Sequence, residues 1–154
     1  MKHCIIVYIH QRKVEMALKR NKSSCYCINL RRVANAITSM YDKCLEPIGL
    51  SVNQFSLLRN IDHLKTCSVS DLAVYIGLER TTLVRTLKPL FVQGLIEDVS
   101  DETTRNREIE ITQKGKLLLL QGVPLWEKAQ SKIETKLDSN QILALSDIFT
   151  KLVK

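Results

Sequence analysis

The chain lacks most of the motifs that mark an enzyme, a metalloprotein or a membrane protein. It contains no glycine-rich phosphate loop, no dinucleotide fingerprint and no paired-acid motif, so we expect neither catalysis nor a bound cofactor. No segment approaches the roughly 20 apolar residues that span a bilayer, and we expect no membrane insertion. Phe, Trp and Tyr make up only 5% of the sequence, too few for a platform that stacks unpaired bases.

The cysteines also match no structural framework. They form an odd-numbered set without CxxC pairs or zinc-finger histidine spacing, and no stretch resembles a signal peptide. We therefore expect a reduced, cytoplasmic protein without a structural metal. The five positions are Cys4, Cys25, Cys27, Cys44 and Cys67.

What the sequence does contain is the spacing of a helix-turn-helix at residues 69–88. Ala73 leaves room for a second helix to cross closely, and Gly77 suits the left-handed backbone of the turn. Residues 95–111 then predict a two-stranded hairpin with a charged tip at 101–106. A helix-turn-helix followed by such a hairpin is a winged helix, whose usual partner is duplex DNA.

The second helix of this motif has an apolar face and a polar face. Leu83, Leu87 and Leu90 share the predicted buried face, whereas Thr81, Arg85 and Lys88 share another. Arginine can bond a guanine edge through two donors, and threonine offers both a hydroxyl and a methyl group. The predicted DNA-contacting residues are Ser70, Arg80, Thr81, Thr82, Arg85, Lys88, Arg105 and Arg107. Pro89 predicts a kink near the end of this helix.

Amphipathic helices flank the winged helix on both sides. Capping signals at Ser51, Ser68, Thr112 and Asp138 predict where the helices begin. The helix after Thr112 is expected to extend to Leu137, with a bend near Val123 because Gly122 and Pro124 flank that residue.

We therefore expect a fold that is mainly α with a small β-hairpin wing. The predicted organisation is a basic extension at 1–22, dimerisation helices at 23–50 and 113–154, and a winged helix-turn-helix at 51–112. The terminal helices carry more apolar surface than the winged helix covers, so we expect a homodimer that binds a pseudo-palindromic operator in double-stranded DNA.

Most of the net charge of +7 lies in residues 1–22, which hold six basic side chains and one acidic side chain. Three interpretations of this segment are equally supported. They are an edge or intersubunit strand, a basic arm that contacts phosphates, and an upstream extension before a true start at Met16.

Over about residues 25–153 the sequence resembles the MarR family of bacterial winged-helix regulators. The segments that carry the resemblance are 45–51, 54–58, the helix-turn-helix, and 94–97 through 111–115. The resemblance implies a dimer joined through its terminal helices, a recognition helix in the major groove and a wing arginine, Arg105, in the minor groove. It also implies a repressor released by a small aromatic effector or by thiol oxidation.

The sequence departs from that family at two positions. Glu79 stands where the family often has aspartate, which is the better helix cap. Thr103 stands where the family has an aspartate two residues before the wing arginine, so Arg105 lacks that carboxylate, for which Asp101 is a candidate substitute.

Two further groups of residues are candidates for regulation. Cys27, with Cys25, resembles the sensing cysteine of the organic-hydroperoxide branch, but Val52 and Phe55 stand where that branch has tyrosines. The alternatives for Cys27 are redox sensing, an ordinary small buried residue, and metal binding with His3 or His10. Tyr41, Phe55 and Trp126 are candidates for a ligand pocket. A winged-helix module that binds protein instead of DNA is the remaining alternative function.

Overall fold

The computed structural model describes residues 23–101 and 107–153. The predicted extension at 1–22 and the predicted wing contact Arg105 lie outside the described residues. The elements in chain order are α1 (Tyr26–Leu45), a 3-10 turn (Glu46–Ile48), α2 (Val52–Leu64), β1 (Cys67–Ser68), α3 (Val69–Ile76), α4 (Arg80–Val92), β2 (Ile96–Asp98), β3 (Glu108–Ile111), α5 (Gln113–Glu134) and α6 (Ser139–Leu152). The expectation of a mainly helical fold with a small wing is confirmed.

The chain divides into two compact units, residues 1–36 and 37–154. In the first unit, Ser23 and Asn29 fasten the start of α1. The Asn29 side-chain amide donates to the Ser23 carbonyl at 2.6 Å, and the Ser23 N–H donates to Asn29 Oδ1 at 3.1 Å. α1 crosses the boundary, so its residues 37–45 belong to the second unit together with all the other elements. The predicted boundaries at residues 22, 50 and 112 stay predictions.

The four predicted helix caps are confirmed, and they set where the helices of the second unit begin. Ser51 and Asp138 each form a complete capping box with the glutamine three residues later. Ser68 accepts from the Asp71 N–H at 3.0 Å, and Thr112 accepts from the Gly115 N–H at 3.1 Å. Each cap pairs a backbone donor that the first turn of the helix would leave unsatisfied.

The sheet has three strands, so the expected two-stranded hairpin is incomplete as a description of it. β3 lies between β1 and β2 and pairs antiparallel with both. The additional strand is only two residues long, with Cys67 opposite Ile109. It leads directly into α3, and the Val69 N–H donates to the Arg107 carbonyl at 3.1 Å. The wing is thereby hydrogen-bonded to the helix-turn-helix.

A single apolar core joins α2, α3, α4, the sheet and α5. The predicted buried face of α4 is confirmed, since Leu83, Leu87 and Leu90 are each at most 1% exposed. α5 closes the core at two glycines. A Cβ atom on Gly122 would lie 2.4 Å from the Phe55 ring, so only glycine lets α5 approach α2 this closely. The other fully buried members of the core are Leu45, Leu58, Ile61, Leu72, Leu95, Ile96 and Ile109.

The prolines do not break the helices that contain them. α4 continues through Pro89 and α5 continues through Gly122 and Pro124. The expected bends stay predictions. The extension of α5 to Leu137 is wrong, because the helix ends at Glu134 and the following turn leads to the Asp138 cap of α6.

α6 presents an apolar surface that this single chain leaves exposed. Leu143, Phe149 and Leu152 are 67%, 64% and 70% exposed. Ile142, Leu145 and Ile148 are also more than one-third exposed. Six large apolar side chains on one 14-residue helix form a patch of the kind that marks an interaction surface. No described helix is both long and apolar enough to cross a lipid bilayer.

Candidate nucleic-acid interface

The turn between α3 and α4 has the geometry that the sequence predicted. Gly77 has φ of 68°, in the left-handed region, and the Leu78 N–H donates to the Ala73 carbonyl at 2.9 Å. Glu79 then caps α4 without any side-chain hydrogen bond, as expected for a glutamate at this position. The turn therefore fixes the direction in which α4 leaves the motif.

A basic cleft of about 880 Å³ lies between α4 and the wing. Its charged lining consists of Arg80, Arg85, Lys88 and Arg107 with one carboxylate, Asp98. Its floor is apolar and includes Val84, Leu87, Phe91 and Val92. Four cations around one concave surface produce a local positive potential that attracts a polyanion, which the modest charge of this part of the sequence does not reveal.

The wing fixes one of these cations. Arg107 Nε lies 3.3 Å from Asp98 Oδ2 across the hairpin. The pKa of the Asp98 carboxyl is lowered, first by hydrogen bonds from the Ser100 side chain and backbone and then by the positive charge of Arg107. Asp98 therefore stays ionised at neutral pH and orients the Arg107 guanidinium beside the cleft.

The structure brings together five of the eight predicted DNA-contacting residues: Arg80, Thr81, Arg85, Lys88 and Arg107 all line the basic cleft. Thr82 lies on the opposite flank of α4, where it lines a second groove. Ser70 is half-buried on α3 and does not line either surface.

Apart from Thr82, the polar residues of the second groove are not among the predicted DNA-contacting residues. It has a volume of about 320 Å³ and lies between α2 and α4. Asn53, Ser56 and Asn60 line it from α2, and Thr82 and Thr86 line it from α4. The available signal was a row of uncharged polar residues at positions i, i+3 and i+7 on α2, beside the buried Leu57.

Two of the three candidate ligand-pocket residues meet at the junction of α1 and α5. The Tyr41 and Trp126 rings are 6.2 Å apart, and the Arg59 guanidinium carbon lies 5.1 Å from the Trp126 ring centre. The Tyr41 hydroxyl donates to Gln130, and burial, with the nearby charge of Glu134, raises its pKa. Phe55 is different, because it is 1% exposed and packs in the core.

The cysteine expectations need correction. Cys27 is exposed in this chain, so the interpretation as an ordinary buried residue is wrong for the single chain. Cys25 is also exposed and precedes the first residue of α1, Tyr26, so the two thiols do not both lie within regular helix. The described ranges contain no group of three or more Cys, His, Asp or Glu side chains arranged to hold a metal.

Comparisons with known proteins agree on one family. The family model described as the MarR family matches residues 50–103. The transcriptional regulator MosR of M. tuberculosis, solved in complex with DNA, is 34% identical; the match covers 85% of this chain and all of MosR, with a TM-score of 0.68.

Two more distant structures share the fold. A cysteine-to-serine mutant of MarR from E. coli, complexed with operator DNA, is 17% identical over 81% of this chain and 91% of that chain, with a TM-score of 0.74. The organohalide-sensing regulator RdhR, bound to 2,4-dichlorophenol, is 20% identical over 81% of this chain and 75% of that chain, with a TM-score of 0.75. The match to the MarR family model and the 34% identity to MosR over 85% of this chain establish that the chain belongs to the MarR family of winged-helix transcriptional regulators.

Proposed function

We propose that this protein is a sequence-specific DNA-binding repressor that acts as a homodimer and is released from its operator by a small effector. The observation that carries the proposal is the basic cleft, which is lined by three cationic side chains of α4 and by Arg107 of the wing. α4 supplies base contacts from the major groove, and Arg80, Lys88 and Arg107 neutralise phosphates beside it. The DNA-bound structures of MosR and MarR support this assignment.

Arg85 is the residue most directly placed to recognise a base. It is exposed on α4, on the side of the helix away from the buried Leu83 and Leu87. The structure records no ion pair for it among the described residues, so its guanidinium is free to bond a guanine edge through two donors.

Replacing Arg85 by alanine is expected to weaken specific operator binding by about 1–3 kcal/mol, since a bidentate base contact is lost. Fluorescence anisotropy with a labelled operator duplex measures the effect. Lys128→Ala is the matched control, because it removes one exposed positive charge from α5, outside the cleft. Equal affinities of the Arg85 variant and the wild type would remove Arg85 from the site, and an absence of salt-dependent DNA binding would favour a protein-binding module.

The effector site is proposed at the cluster of Tyr41, Trp126 and Arg59. An aromatic ring with an acidic group complements two aromatic side chains and one guanidinium. The 2,4-dichlorophenol complex of RdhR supports an effector of this class. An effector bound where α1 meets α5 changes DNA affinity by favouring one separation of the two α4 helices in the dimer.

Trp126 is the only tryptophan in the chain, so its fluorescence reports directly on this cluster. Titration with a panel of aromatic acids and phenols is expected to change that fluorescence saturably for at least one compound. The same compound is expected to lower operator affinity. Arg59→Gln is expected to weaken binding of acids more than binding of neutral phenols. A fluorescence change with no loss of DNA affinity would separate this cluster from regulation.

Redox regulation is the second candidate function, and the exposure of Cys25 and Cys27 is the observation that favours it. A sensing thiol needs access to oxidant and a stabilised thiolate. The chain provides the access, but Val52 and Phe55 lack the hydroxyl groups that the organic-hydroperoxide branch places there.

We expect Cys27→Ser to keep wild-type operator affinity, and stoichiometric cumene hydroperoxide to leave the wild-type complex intact. Anisotropy before and after addition of the peroxide measures both outcomes, with Cys67→Ser as the control for a buried thiol. Release of the wild type by peroxide that Cys27→Ser abolishes would instead support the redox alternative.

A further inference from the structure

The two flanks of α4 differ in chemistry, and this difference points to a second DNA-contacting surface. The flank facing the wing is the basic cleft already described. The flank facing α2 is the smaller groove, whose lining contains no charged residue. The inference below rests on the proposed function, because it assumes that α4 binds in the major groove.

The α2 flank is rich in hydrogen-bonding groups that the protein itself leaves unused. Asn53 and Ser56 are exposed, and Asn60 is half-buried in the same row. Within residues 23–101 and 107–153, the side chains of these three residues have no hydrogen-bond partner. A row of two amides and one hydroxyl, presented over an apolar floor of Leu57, Ile76 and Leu78, is available to an external ligand.

The position of this row follows from the turn of α4. At about 100° per residue, Thr82 and Thr86 lie on one side of Arg85, whereas Val84 and Lys88 lie on the other. The first pair lines the α2 groove and the second pair lines the basic cleft. A helix in the major groove, which is about 12 Å wide, has a sugar-phosphate backbone on each side. With Arg85 directed at the bases, the basic cleft faces one backbone and the α2 row faces the other.

We propose that Asn53 and Ser56, with Asn60 behind them, bind phosphates of the DNA strand opposite to the one that the basic cleft contacts. These contacts are uncharged hydrogen bonds in which amide N–H and hydroxyl groups donate to phosphate oxygens. α4 is thus flanked by two DNA-contacting surfaces, the cationic basic cleft and the uncharged α2 row. Their contributions differ in the salt dependence of affinity, because only cations that neutralise phosphates release condensed counterions.

Salt titrations of operator binding distinguish the two kinds of contact. The double variant Asn53→Ala, Ser56→Ala is expected to lose at least about thirtyfold in affinity, since a dimer loses four neutral hydrogen bonds and each contributes about two- to tenfold. Its slope of log affinity against log salt should equal that of the wild type. Lys88→Gln should instead reduce the magnitude of that slope by about 1.8, because a dimer loses one phosphate contact in each subunit and each contact contributes about 0.9. Unchanged affinity of the double variant overturns the proposal, and so does a reduced slope.

A gain-of-function variant tests the geometry directly. If Asn53 faces a phosphate, Asn53→Lys should increase affinity several-fold and increase the magnitude of the slope by about 1.8, which is about 0.9 for each subunit of the dimer. Asn140→Lys is the matched control, since it adds the same charge at an exposed asparagine on α6. Equal responses of the two lysine variants overturn the proposal, because they would reflect net charge alone.

Failure of this inference is distinguishable from failure of the proposed function. If Arg85→Ala has its expected effect while the Asn53 variants behave as the wild type, α4 binds DNA and the α2 row does not. If Arg85→Ala and Lys88→Gln are both without effect, the assignment of α4 itself is wrong. Circular dichroism should be unchanged for the Asn53 and Ser56 variants, because both side chains are exposed.

Discussion

Replacing Gly115 by alanine is expected to lower the free energy of unfolding by about 3 kcal/mol, near the upper end for a forced steric overlap. A Cβ atom at this position would lie 2.1 Å from the Leu95 carbonyl oxygen and 2.7 Å from Ile111 Cγ1. Neither neighbour moves easily. The Leu95 carbonyl accepts from the Thr112 N–H at 3.1 Å, and Ile111 is buried in the sheet. Relief of the overlap would require α5 to separate from the wing.

A decrease in stability distinguishes the steric overlap from an effect of helix propensity, which has the opposite sign. Gly115 lies in the first turn of α5, and within a helix alanine is ordinarily more favourable than glycine by up to about 1 kcal/mol. Urea unfolding followed by circular dichroism measures the difference. Lys116→Ala, at the adjacent exposed position, controls for a change of helix propensity alone. A Gly115→Ala variant as stable as the wild type would show that the contact between α5 and the wing is loose.

Removal of residues 138–154 is expected to abolish dimerisation and to reduce operator affinity by at least about a hundredfold. The deletion removes α6, whose apolar side chains this chain leaves exposed. A monomer engages one half-site at a time and loses the high effective concentration that links two half-sites, which is commonly worth 10²–10⁴ in affinity. Light scattering gives the oligomeric state, and anisotropy gives the affinity.

A point variant separates loss of dimerisation from loss of folding. Phe149 is 64% exposed in the single chain, so Phe149→Glu should not disturb the fold of one subunit. It should nevertheless destabilise an apolar contact between two subunits, because a carboxylate would be buried there. Asn140→Glu adds the same charge at another exposed site on α6 and should leave the dimer intact. A truncated chain that remains a stable dimer would place the dimer contact elsewhere.

The features that could be predicted from sequence are those determined within a few residues. Ser51, Ser68, Thr112 and Asp138 were all identified as caps, because a cap depends on its own side chain and on a donor two or three positions later. The turn at Gly77 and the apolar face of α4 follow from the same local rules. These features were sufficient to predict the winged helix.

The features that were missed depend on residues distant in sequence. β1 has only two residues, too few for any alternation, and it exists because Cys67 pairs with Ile109. Asp42 of α1 accepts from the Val52 N–H at 2.7 Å and adds a second cap to α2, across ten positions. Arg59 reaches Trp126 only after α2 packs near α5. The residues near each partner in the sequence give no indication of these three contacts.

The α2 row was missed for another reason. The predicted DNA-contacting residues all lie in the helix-turn-helix and the wing, whereas the α2 row lies on a helix that precedes both. The residues of the α2 row become candidates for DNA contact only because α2 and α4 pack side by side and form a groove between them.

The central place of β3 limits how the wing could move in response to the proposed effector. β3 is hydrogen-bonded to β2 on one side and to the strand that leads into α3 on the other, so the described strands of the wing are joined directly to the helix-turn-helix. We therefore expect a rearrangement to turn these strands and the helix-turn-helix, including α4, together. In a two-fold dimer, small rotations of two such bodies displace both recognition helices from successive major grooves, about 34 Å apart, at once. Operator release would then occur because the spacing of the two α4 helices no longer matches the helical repeat of DNA. The contacts within each subunit would stay intact.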